Sequence, residues 1–99
     1  MDSATLTLIF DDIQLGIGLA RLANISFRLG ELSMGREWLS DSEACHSRAE
    51  RLAANLSCLD DKRTVGLDLN NLRLTIRQTY SNSRMSDLHT TNPLGLTAA

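Results

Sequence analysis

Aromatic residues are scarce in this chain: two phenylalanines, one tryptophan (Trp38) and one tyrosine (Tyr80), together 4% of 99 residues. Proline occurs once, at Pro93. A sandwich or barrel draws on β-branched and aromatic strands broken by frequent turns, so both scarcities argue against one and in favour of helices. Cysteine is limited to Cys45 and Cys58, too few for a disulfide framework. Were both on one helix, helical rise would hold them roughly 20 Å apart, beyond bridging distance. Two free thiols in a reducing compartment are therefore expected. Charge of a single sign is lacking too: the net charge is −2 and the longest basic run is Lys62-Arg63. Nucleic-acid binding needs a dense positive stripe, so none is expected. No apolar run reaches membrane-spanning length, because Asp11 and Asp12 interrupt the best candidate. The N-terminus lacks the basic region and cleavage site of a signal peptide. A cytoplasmic chain that binds no membrane is the expectation.

Leucine dominates what is present, within an ordinary apolar fraction of 42%. A chain this short makes one domain with a modest core. An apolar stripe runs from Leu6 to Leu29 and is closed by Gly30. Its positions Leu6, Ile9, Ile13, Ile17, Ala20, Ala23 and Phe27 follow helical spacing, with a neighbouring row at Leu8, Leu15, Leu19, Leu22 and Leu29. Asp2 and Ser3 are candidate caps. Together the two rows cover a wider arc than one partner helix needs. Gly16 and Gly18 each cost about 1 kcal/mol in a helix interior relative to alanine. With Ala20 and Ala23 they form a thin region that another backbone can approach closely. Gly30 suits the left-handed residue that ends a helix.

A second helix is predicted over 33–57, with an inward row of Trp38 or Leu39, Ser42, Cys45, Ala49, Leu52 and Leu56. Asp60 or Asp61 is the candidate cap of a third helix, where negative charge suits the helix N-terminus. Its stripe is Val65, Leu69, Leu72, Ile76 and Tyr80, flanked by Leu67 and Leu74, and it weakens at Gly66 and past Thr79. From Ser81 the periodicity dissolves into Ser, Thr and Asn, with Asn92-Pro93 as a helix breaker. The expectation is an all-α fold: a small antiparallel bundle of three helices over 1–80 and a mostly disordered, flexible tail over 81–99. Met85 and Leu88 could form a short docking turn there.

Candidate chemistry is sparse. His46 shares a three-and-four spacing with Glu43 and Glu50, a pattern that carboxylate–histidine bundles use for metals. Such sites need ligands from other helices, and the second histidine, His89, falls in the tail. A solvated polar face is the plainer reading, and no cofactor is expected. Asp11 and Asp12 diverge by about 100° on a helix, which argues against a shared acid–base site. Arg21, Asn24 and Arg28 form a polar row able to grip a carboxylate, or else a solvent face. Trp38 is either core or a partner-binding hot spot. Asn24-Ile-Ser26 and Asn55-Leu-Ser57 match a glycosylation sequon but fall within predicted helices. Gly16-Ile-Gly18 lacks the strand and third glycine of a phosphate loop, and no nucleophile-elbow, Cys-x-x-Cys or His-Glu-x-x-His motif occurs.

The hairpin resembles a tetratricopeptide repeat. Leu19, Leu22, Ala23 and Ser26 stand at its large, leucine, small and aromatic positions on the first helix. Gly30 stands at the turn, Gly35 at the small position of the second helix and Leu39 at the large position that follows. Ser26 replaces the usual aromatic, with Phe27 adjacent, and Ser47 replaces the closing proline. One repeat length on, about 34 residues, the places fall to Ala53, Leu56, Ser57 and Asp60, so no array follows. The resemblance implies protein–protein contact, with Asn24 where such repeats place a peptide-contacting asparagine. The expected function is an interaction or self-assembly module without catalysis, a homo-oligomer whose partner-facing residues include Arg21, Asn24, Arg28 and Trp38. The alternatives are a monomeric adaptor holding a peptide or helix in a groove and, more remotely, a helical metal protein or enzyme.

Overall fold

The computed structural model describes residues 2–91, with side chains over 3–84. Three helices follow one another: α1 (Asp2–Arg28), α2 (Leu32–Ala53) and α3 (Leu59–Thr91), with no strand among the described residues. The expected all-α bundle of three helices is the fold. α1 is unbroken through Gly16 and Gly18, and Asp2 and Ser3 already lie within it.

The α1–α2 turn is built by Gly30, whose φ of 80° is the one positive value among the described residues. Its amide donates to the Phe27 carbonyl, and the Glu31 amide donates to the Ser26 carbonyl at 2.8 Å. This crossed pair satisfies carbonyls that the helix end would otherwise orphan. α2 then starts from Glu31 without a side-chain cap.

α2 stops at Ala53, four residues short of the predicted end. Asn55 and Ser57, whose side chains compete with helical hydrogen bonding, fall in the connection, so Asn55 is not helical. Leu56 folds back from that connection into the core. The cap position of α3 is Cys58, whose carbonyl accepts from the Lys62 amide. Asp60 and Asp61 instead occupy its first turn, where their charge still opposes the helix dipole. α3 does not fray after Thr79 but continues to Thr91. The expected tail is therefore helical over its first half, while 92–99 and the side chains of Met85, Leu88 and His89 lie outside the described residues.

Two clusters make the core. Ile9 and Ile13 meet Ala49, Leu56, Val65 and Leu69 at one end. Ala23 and Phe27 meet Leu39, Leu72 and Ile76 at the other. This pairing sets α2 antiparallel to α1 and α3 parallel to it. Fully burying each of the large aliphatic side chains contributes roughly 1.5–3 kcal/mol. Between the clusters, Gly16 of α1 packs against both α2 and α3. A Cβ there would lie 2.8 Å from Leu72 Cδ2 and 3.3 Å from Cys45 Cβ. The buried Ser42 hydroxyl donates to the Gly16 carbonyl at 2.7 Å. Thr79, buried, takes the inward place expected for Tyr80, which turns outward. α1 and α2 share the most extensive contact and α2 and α3 the least.

Candidate functional site

Core packing uses only one side of α1. Ile9, Ile13, Gly16, Ala20, Ala23 and Phe27 face the other helices. Most of the neighbouring row does not: Leu8 is 56% exposed, Leu15 52%, Leu22 44% and Leu29 69%, while Leu19 is half-buried. The exposed leucines recur at intervals of seven, so they follow one another along the helix surface. Ile25, 50% exposed, adds to the row three residues after Leu22. Gly18 sits on the same face, and a Cβ built there would meet nothing within 4 Å. The thin region expected at Gly16 and Gly18 thus divides: Gly16 receives two helices and Gly18 faces open space. Asp11 is exposed on the seam as well, three residues after Leu8. α3 carries a shorter exposed pair, Leu67 and Leu74, while the outer face of α2 is mostly charged.

The seam is flanked by groups of known partnership. Asp12, which adjoins Asp11 in sequence, turns to α2 and pairs with Arg48 at 3.1 Å. That hydrogen bond holds the Arg48 guanidinium more firmly protonated. Arg48 also contacts the Cys45 thiol, which burial pushes upward against the opposing pull of the arginine. Both cysteines are free, Cys45 buried and Cys58 exposed.

The polar row of α1 is split. Arg21 and Arg28 are exposed beside the seam, whereas Asn24 is half-buried and its Oδ1 accepts from Asn82 Nδ2 at 2.8 Å. Trp38 is half-buried against the second core cluster and, with Met34, Glu37 and Asp41, lines a shallow surface depression.

The Glu43–His46–Glu50 row faces α3 across a groove of about 260 Å³. The Tyr80 hydroxyl donates to Glu43 Oε1 at 2.6 Å, and Arg73 reaches Glu50 at 3.4 Å. The hydrogen bond to Glu43, then burial and the carboxylate charge, push the Tyr80 phenol up to about 12. The row is thus a largely exposed face, as expected, whose two carboxylates also make polar contacts to α3. His46 Nε2 is buried without a hydrogen-bond partner. Among the described residues no three His, Cys, Asp or Glu side chains gather as metal ligands would. No helix over these residues is long and apolar enough to cross a membrane.

Sequence spacing identifies most of the seam, since Leu8, Leu15, Leu22 and Leu29 stand apart from the inward row. It misses Ile25, which lacks a place in either predicted row, and the Tyr80–Glu43 and Arg73–Glu50 contacts, which depend on how α3 is rotated against α2. The three- and four-residue spacing of Ile25 from Leu22 and Leu29 was the signal available for the first. Compared with family models, with curated proteins and with solved structures, the chain matches none of them.

Proposed function

We propose that the protein is a self-assembly module and that the leucine seam of α1 is the surface through which two copies associate. The observation that carries this reading is the exposed row Leu8, Leu15, Leu22 and Leu29 at constant spacing. Single exposed leucines are ordinary on a protein surface, but a contiguous apolar row marks an interaction site. A seven-residue apolar repeat is what a helix offers to another helix. The function under this reading is association without catalysis. Two free thiols, one of them exposed, agree with work in a reducing compartment such as the cytoplasm.

The groove-binding adaptor draws less support. Its peptide contact falls on Asn24, whose amide oxygen is already held by Asn82. Arg21 and Arg28 stand at the edge of the seam, where they fit a role in association equally well.

Sedimentation equilibrium tests the reading. The wild-type chain is expected to dimerise in the micromolar range. Leu15→Glu combined with Leu22→Glu is expected to be monomeric with unchanged helical circular dichroism, because both side chains point away from the core. A wild-type chain that stays monomeric throughout that range overturns the proposal.

A further inference from the structure

We infer that the two copies lie antiparallel along α1, with Asp11 of each meeting Arg28 of the other. This rests on the self-assembly reading and adds its orientation. The inference comes from how charge and shape are distributed along one helix.

The charges of α1 are segregated. Its acidic residues, Asp2, Asp11 and Asp12, all precede Gly16, and its basic residues, Arg21 and Arg28, both follow it. Asp12 is engaged by Arg48 of α2, which leaves Asp11 as the exposed acid on the seam. Arg28, also exposed, directly precedes Leu29 at the far end. In a parallel pair in register, Asp11 would face its own copy within an apolar row, and like charges so placed oppose association. Reversing one copy brings the acidic end of each seam to the basic end of the other. The helix dipoles are then opposed as well.

Shape favours the same arrangement. Gly18 is an open notch in the middle of the seam. A parallel pair sets notch against notch and leaves a void, which forfeits packing contacts. In an antiparallel pair centred near Ala20, Leu22 of each copy fills the Gly18 notch of the other. The same register sets Leu15 against Ile25 and brings Asp11 beside Leu29 and Arg28. Arg21 lies near the centre but at the edge of the seam, where its long side chain extends into water.

Sedimentation equilibrium of full-length variants tests the orientation, with circular dichroism confirming that each remains helical. Asp11→Arg and Arg28→Glu are each expected to weaken the dimer about tenfold, because each replaces two symmetry-related attractions by repulsions. The double variant D11R/R28E is expected to recover the wild-type affinity. Asp11→Asn, the mildest change, is expected to weaken association slightly. A dimer that is unchanged or tightened by D11N, or a double variant no better than the single ones, overturns the antiparallel arrangement while leaving self-assembly in place. A monomeric wild-type chain overturns both.

Discussion

At Gly35 the fold has no room for a side chain, because a Cβ there would collide with the Phe27 ring. Gly66 differs: it is exposed within α3 and a Cβ would meet nothing within 4 Å. Alanine therefore acts in opposite directions at the two sites. Gly35→Ala is expected to destabilise the fold by about 1–3 kcal/mol through overpacking. Gly66→Ala is expected to stabilise it by about 1 kcal/mol through helix propensity alone. Urea unfolding at a fixed protein concentration measures both. Tyr80 gives a second prediction. Its folded value, about 12, lies above the ordinary phenol value, so folding favours the neutral form. That contribution is fully present below the unfolded phenol value of about 10 and is lost as pH rises through 12. Because Tyr80 is 41% exposed, solvent screening keeps the effect small. Phenolate absorbance is expected to show a midpoint near 12 in the wild type, moving downward in Glu43→Gln.

Between elements, the bond network explains which parts of the fold the residue pattern revealed. Gly30 announced the end of α1 because a left-handed residue is cheap only for glycine, and its φ of 80° fulfils that expectation. Gly30→Ala is expected to cost about 1 kcal/mol, measured as a fall in the urea midpoint without change in slope. Most of the inward rows were equally visible, since Ile9, Ile13, Leu39, Ala49, Val65 and Leu72 follow helical spacing and are buried. The end of α2 was hidden because Leu56 keeps its apolar place after the helix has stopped. The extent of α3 was hidden for the opposite reason: past Thr79 the residues are polar, so a helix there carries no apolar period. Thr79 shows how polar residues enter the inward row, since its hydroxyl donates to the Thr75 carbonyl at 2.8 Å and needs no water. α2 and α3 touch least. Amide exchange is accordingly expected to be faster in the second half of α3 than in the middle of α1, as native-state hydrogen exchange would show.

For the whole molecule, the separation of α1 into a buried side and an exposed leucine side is the feature that links fold to function. The sequence width of the two apolar rows implied more surface than the bundle covers, and the exposed leucines are where that excess lies. Which row would face inward could not be read from hydropathy, because both are leucine- or isoleucine-rich; the small residues Gly16, Ala20 and Ala23 decide it by allowing close approach. If two copies associate, the melting temperature is expected to rise with protein concentration, since dimer formation stabilises the folded state by mass action. Scanning calorimetry over a hundredfold range of about micromolar upward checks this, and Leu15→Glu combined with Leu22→Glu is expected to abolish the dependence. The spacing of the leucines has one more consequence. Seven residues fall short of two full turns, so each leucine is displaced by about 20° from the one before it, and the line from Leu8 to Leu29 spirals by about 60° around the helix. A straight rod cannot follow such a line, so any helix that touches both ends must wind around α1 in a left-handed superhelix.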